Sequence, residues 1–182
     1  MSNFIHRIRL RLSGVCAIFA MVTVNTCFAQ PTKQNDASVQ SVAATSNPKF
    51  VTLTHTETGV KFEFPKDNFR RDRETGCTWV ADLDESHYNI EFAKLPKVFS
   101  DEEQKTWLKE KNDKTENKTE DKPVKMGKLN AREYLFVNEL GTTKIRFVIS
   151  PTWTYTFMFH CDTDSPQKTQ ARNAFFKSIQ HQ

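Results

Sequence analysis

Residues 153–161 read W-T-Y-T-F-M-F-H-C, so Trp153, Tyr155, Phe157 and Phe159 recur at every second position. Period two is the signature of one face of a β-strand, because successive side chains there point to opposite sides. Each ring hides about 150–250 Å² when covered, so this strand has to anchor a hydrophobic core. Cys161 falls in phase with the aromatic face, while Thr154, Thr156, Met158 and His160 take the other. A chain built around such a strand needs further strands beside it to satisfy its backbone.

Those strands are legible as further alternations. Val60, Phe62 and Phe64 give one, ended by Pro65, and Val51 with Leu53 gives a shorter one before it. Cys77, Trp79, Ala81 and Leu83, a turn over 84–87, and then Tyr88, Ile90 and Phe92 predict a hairpin with an aromatic inner face. Residues 66–76 are charged and predict a loop. After Pro123, Val124 and Met126 precede a turn, Tyr134 and Phe136 share a strand with Arg132, and Gly141 turns the chain into Ile145, Phe147 and Ile149. Lys144, Arg146 and Val148 then lie on the opposite side of that strand.

Two helices complete the pattern. Ser100 with Glu103 three residues later is a capping box, and Asp101 and Glu102 suit the positive helix end. Trp107 and Leu108 are its few anchors, so it should lie shallowly. Residues 109–122 carry dense charge of both signs and predict a fraying helix end and a solvated loop. Ser165-Pro166 opens the second helix, and Ala171, Ala174, Phe175 and Ile179 form its apolar stripe, widened by Phe176. The expected fold is α+β, an antiparallel β-sheet flanked by two helices, with the C-terminal amphipathic helix packed on the sheet.

The first 29 residues have a different logic. Arg7, Arg9 and Arg11 precede an apolar stretch densest over 15–24, and Cys27 and Ala29 place small residues before Gln30. This is the secretory signal layout, with the cut expected after Ala29. Ser13, Gly14, Thr23, Asn25 and Thr26 interrupt the apolar run, whereas a spanning helix needs roughly 20 mostly apolar residues. A secreted or periplasmic protein without stable membrane insertion is expected. Residues 30–48 hold no aromatic side chain and predict a disordered leader, followed by one α+β domain over 49–182.

Cleavage would remove three arginines and no acid, lowering the net charge from +4 to +1. A nearly neutral domain has no net field to gather nucleic acid or anionic membrane. The one basic cluster, Lys66 with Arg70, Arg71 and Arg73, is interleaved with Asp67, Asp72 and Glu74. In an oxidising compartment the two remaining cysteines, Cys77 and Cys161, form a candidate disulfide. Two buried free thiols are the alternative. Asn117-Lys118-Thr119 fits a glycosylation acceptor.

The opening V-K-F-E-F-P of 60–65, the strand W-T-Y-T-F-M-F of 153–159 and the closing F-F-K-S-I of 175–179 stand in an order that resembles the PsbP-like fold. That fold includes PsbP and small exported DcrB-type proteins, and the resemblance covers 50–179. It implies an antiparallel sheet flanked by helices in an α/β/α sandwich, and an accessory or binding role. It carries over no site residue.

Motifs of catalysis are missing from the sequence. No Gly-x-Ser-x-Gly, phosphate-cradling glycine loop, Cys-x-x-Cys or His pair at i, i+4 is present. His160 adjoins Cys161, but neighbours on a strand point to opposite faces, so the pair cannot form a dyad. Asp82, Asp84, Glu85 and His87 at the hairpin turn, and Asp162 and Asp164 after the last strand, are candidate metal ligands. Neither group alone supplies the roughly six oxygens a hard cation wants. No catalytic residue, cofactor or metal site is therefore assigned. The expected function is a non-catalytic accessory or binding domain acting through protein or envelope contacts. Two alternatives stand beside it. One is a small-ligand carrier with a cavity behind Trp153 to Phe159. The other is a hydrolase or redox enzyme with a dispersed site using His55, His87 or Cys77.

Overall fold

The computed structural model describes the backbone of residues 39–44 and the whole of residues 47–181. The expected signal peptide and its cut after Ala29 lie outside these residues. Eleven strands and two helices form in the described part. In chain order they are β1 (Val39–Ala44), β2 (Phe50–His55), β3 (Val60–Pro65), β4 (Phe69–Arg73), β5 (Gly76–Leu83) and β6 (Ser86–Lys94). Helix α1 (Asp101–Asp113) follows, then β7 (Glu120–Met126), β8 (Leu129–Asn138), β9 (Gly141–Ile149), β10 (Trp153–Cys161), helix α2 (Pro166–Ser178) and β11 (Gln180–His181).

All pairings are antiparallel. Seven strands form a large sheet in the order β4-β5-β6-β10-β9-β8-β7, and four form a smaller one, β1-β2-β3-β11. The small sheet and α2 cover one face of the large sheet, which we call inner; α1 lies on part of the other, outer face. The fold is α+β with two helices and antiparallel sheets, as the alternations predicted, but the strands divide into two sheets rather than one.

The inner face is dry because the rings predicted to share it do so. Tyr155, Phe157 and Phe159 are completely buried, as are Phe62 and Phe64 from the small sheet. Phe62 meets Phe157 edge-on at 5.5 Å, and Tyr88 meets Phe159 at 5.1 Å. From α2, Phe175 packs on Tyr88 at 5.3 Å. Rings thus fill the space behind Trp153 to Phe159, where a carrier cavity was one expectation.

Both helices begin as the sequence predicted. Ser100 Oγ accepts from the Glu103 amide (3.3 Å), and Glu103 Oε2 accepts from the Ser100 amide (2.8 Å). Ser165 Oγ accepts from the Lys168 amide (3.2 Å), with Pro166 opening α2. They differ in depth. Helix α2 buries Arg172, Phe175 and Phe176, whereas α1 buries Gln104 alone.

Three expectations need correction. The loop over 66–76 contains β4, the leader over 30–48 contains β1, and the charged stretch over 109–122 ends inside β7. Each is an edge or near-edge strand, which needs backbone hydrogen bonds from one neighbour and no apolar alternation. The basic cluster falls on β4. There Arg70 pairs with Asp72 (2.6 Å) and stacks over Trp79, while Arg73 reaches Glu91 (3.4 Å).

The disulfide expectation is corrected as well, since both cysteines are free. They do face the same interior, as their phase predicted. Cys77, however, lies opposite Phe92 and hence level with Tyr155, while Cys161 lies six residues further along β10. At about 3.3 Å per residue that offset is near 20 Å, whereas a disulfide needs Cα atoms within roughly 7 Å.

Candidate functional site

The sequence candidates Asp82, Asp84, Glu85, His87, Asp162 and Asp164 all arrive at one end of the large sheet. The register brings them there, because His87 stands opposite both Asp82 on β5 and His160 on β10. The strand pleat then sorts them to different sides.

On the inner side, Leu83 pairs with Ser86 and leaves a two-residue turn, Asp84-Glu85. Both turn residues have positive φ (51° and 57°), the conformation of a type I′ hairpin turn. Glycine and asparagine are the usual occupants, so two acidic residues here are strained by of order 1 kcal/mol or more each. Their carboxylates reach two lysines from different elements. Lys49, beside β2, holds Asp84 (2.9 Å), and Lys168 of α2 holds Glu85 (3.0 Å).

These two ion pairs stand at the rim of an open groove of about 770 Å³ between α2, the start of β2 and the β5–β6 turn. Phe50, Leu83, Tyr88, Ala171, Ala174 and Phe175 give it an apolar lining, and the small alanines of α2 leave it its width. Ser86 also lines it, is 3% exposed, and has no hydrogen-bond partner for its hydroxyl. Burial, with Asp84 adding to it, pushes the Tyr88 phenol up to about 12. The groove therefore offers uncharged polar groups on an apolar wall, with charges of both signs at its edge. Asp164 is drawn away from it. Its carboxylate accepts from Thr169 Oγ1 (2.8 Å) and Arg172 (3.1 Å), and those contacts outweigh its partial burial and hold it below the usual carboxylate range.

On the outer side, four residues form a row across the strands. They are Asp82 on β5, His87 on β6, His160 on β10 and Thr143 on β9, each the Cα partner of the next. His87 Nδ1 is 2.8 Å from Asp82 Oδ1, and His160 Nδ1 is 2.8 Å from Thr143 Oγ1. His160 Nε2 lies 3.0 Å from Asp162 Oδ1. No three His, Cys, Asp or Glu side chains form a ready metal cluster among the described residues.

The three residues of the dispersed-enzyme alternative do not meet. His87 is on the outer face, while Cys77 and His55 lie inside. Burial pushes the Cys77 thiol up to about 12 and raises that of Cys161 too, so neither is held as a thiolate. His55 is 0% exposed, and burial lowers its pKa to about 4. Its Nδ1 lies within 2.9 Å of Thr58 Oγ1 and 2.8 Å of the Tyr155 hydroxyl, while Nε2 has no partner.

Sequence reasoning missed the groove and the histidine row. Each depends on cross-strand register, which no single-strand pattern encodes. It also missed a buried ionic cluster on the inner face, where Glu133 of β8 contacts Arg146 (2.8 Å) and Lys144 of β9. Phe176 of α2 lies against this cluster, 4.6 Å from Lys144 Nζ and 5.3 Å from Arg146 Cζ. The alternation had placed Lys144 and Arg146 together on one face, and it is the inward one.

No protein-family model matches the chain, and neither does any curated protein. Among solved structures it is similar to the solution structure of cyanobacterial PsbP (CyanoP) from Synechocystis sp. PCC 6803. The TM-score is 0.47, with 11% sequence identity over 85% of this chain and 98% of that chain.

Proposed function

We propose that this chain is an exported, non-catalytic binding domain whose contact site is the groove beside α2, and that it receives an apolar-faced segment of a partner protein in the cell envelope. The observation that carries this reading is the groove itself. It has an open apolar lining, a buried serine hydroxyl without a partner, and a rim where Lys49, Lys168, Asp84 and Glu85 offer both signs of charge. Such a rim suits a polypeptide, whose backbone and side chains carry donors and acceptors together, better than a ligand of one charge. Export rests on the tripartite arrangement of the first 29 residues.

The test is a groove-filling substitution. Ala174→Trp, on the exposed side of α2, should abolish co-purification of a stoichiometric envelope partner while leaving the circular dichroism spectrum unchanged. Retention of the same partner at the same yield would refute the groove as contact site. N-terminal sequencing of the mature protein should begin at Gln30, and a mature chain that keeps Met1 would defeat the export reading.

A further inference from the structure

We propose that His87 and His160 are the paired ligands of a divalent transition-metal site on the outer face of the large sheet, suited to Zn²⁺ or Cu²⁺. The inference is independent of the groove, which lies on the other side.

The argument starts from register. Directly opposed residues on antiparallel strands have Cβ atoms about 4.5–5.5 Å apart and point to the same side. His87 and His160 are such a pair, so two imidazoles stand on adjacent strands of a rigid sheet. Ligand bonds of about 2.0–2.1 Å from two rings rooted that closely can meet on one ion. Imidazole nitrogens suit zinc and copper, whereas calcium and magnesium seek oxygen.

The neighbours in the row fix which nitrogen is presented. Asp82 Oδ1 is a carboxylate oxygen and accepts, so the proton of a neutral His87 sits on Nδ1 and the lone pair on Nε2. A carboxylate behind a ligating histidine is the usual outer support of such sites. His160 is held by Thr143 on Nδ1 and by Asp162 on Nε2. Without an ion, Nε2–H donates to Asp162 and the Thr143 hydroxyl donates to Nδ1. With an ion, the ring moves its proton to Nδ1 and Thr143 turns to accept it. The ring carries one proton before and after, so binding moves that proton between its two nitrogens and releases none.

Asp162 supplies a third donor. Its side chain is 93% exposed and already beside His160 Nε2, and it has no other hydrogen-bond partner among the described residues. The third ligand converges only when the ion takes the place of that proton. This accounts for the lack of a ready three-residue cluster in the ion-free arrangement. Water completes a four-coordinate shell.

The test is titration of the protein with Zn²⁺ and with Cu²⁺ by calorimetry, alongside nitrogen-15 NMR of the histidine rings. One ion per chain is expected, with a shift of Nε2 in both His87 and His160 and of the proton of His160 to Nδ1. His87→Gln and His160→Gln should each weaken binding at least tenfold, and Asp82→Asn, which removes only the outer support, by about tenfold. His181→Gln, on β11, should leave binding unchanged. All of these side chains are at least partly exposed, and unaltered circular dichroism checks that each variant folds. Equal affinity in the His87→Gln/His160→Gln double variant would overturn the proposal. So would preference for Ca²⁺, or the absence of saturable binding with either ion.

Discussion

The two faces of the seven-stranded sheet are built from the same strands and have little else in common. On β10, Tyr155, Phe157 and Phe159 point inward and are fully buried, while Thr154, Thr156 and His160 between them remain half-exposed. The inner face is closed by α2 and a second sheet. The outer face is covered only in part, by α1, whose Trp107 meets Phe147 edge-on at 6.1 Å. One face therefore holds the fold together, and the other is free to carry polar groups whose alteration costs little. The largest expected mutational contrast lies between adjacent residues. Phe157→Ala should destabilise by about 3–5 kcal/mol, whereas Thr156→Ala on the outer side should stay within roughly 1 kcal/mol. Urea unfolding measures both, and similar losses at the two positions would erase the distinction.

The inner face is itself divided. Its β5-β6-β10 half is aromatic, and its β8-β9 half carries Glu133, Arg146 and Lys144. Burial pushes the Glu133 carboxyl up, but the two cations more than reverse this, and its pKa ends below the usual range. Glu133→Gln would leave two cations beside Phe176 without a counter-charge, so a loss of about 3 kcal/mol is expected by urea unfolding. Joint replacement of the three by apolar residues of similar volume should restore much of that loss, because desolvation offsets most of what a buried ion pair contributes. A harmless Glu133→Gln would show that water reaches the cluster and that the inner face is not uniformly dry.

The sequence made the aromatic half legible and the charged half only partly so. Alternation at Tyr88, Ile90 and Phe92, and again at Trp153 to Phe159, states which residues share a face, and burial follows from their chemistry. On β9 the same rule separates Ile145, Phe147 and Ile149 from Lys144, Arg146 and Val148, yet hydrophobicity favours the wrong set for the interior. The reversal arises because Glu133 lies across from Arg146 and neutralises part of its charge, a pairing set by register. β4 escaped notice for a related reason. Its sequence, F-R-R-D-R, leaves Phe69 66% exposed, and only backbone pairing with β5 makes it a strand. The candidate sites were legible as residues but not as places. Asp84 and His87 are three positions apart in the turn, yet one borders the groove and the other joins the histidine row.

A smaller effect probes where the two sheets meet. His55 of β2 is buried against Trp153 (4.5 Å) and Tyr155, with no carboxylate in hydrogen-bond contact to stabilise a proton. Its folded pKa of about 4 lies below the unfolded value of 6.5, so the unfolded chain binds more protons between them. Stability is therefore complete above about pH 6.5 and falls by about 2–3 kcal/mol as pH drops to 4. The lowered Glu133 carboxyl acts in a separate window, below the ordinary glutamate pKa. His55→Gln should flatten the upper window and leave the lower one in place, read as unfolding free energy against pH. An unchanged slope between pH 6.5 and 4 would mean that water already enters the seam between the sheets.

The smallest effect belongs to the outer face and tests whether α1 is as separable as its shallow packing implies. Its stability depends on its ends as much as on its side chains, since Gln104 is its one buried residue. The capping box joins Ser100 and Glu103, and Lys97 strengthens it by pairing with Glu103 (2.5 Å). Ser100→Ala removes the side-chain acceptor and should cost about 1 kcal/mol. Because α1 contributes little to the core, that loss should appear as faster amide exchange in 101–113 alone, with exchange in β6 and β10 unchanged. Uniform acceleration across the large sheet would instead mean that α1 unfolds only together with the core. The outer face would then be a structural layer in its own right, and the asymmetry between the two faces would be one of composition rather than of stability.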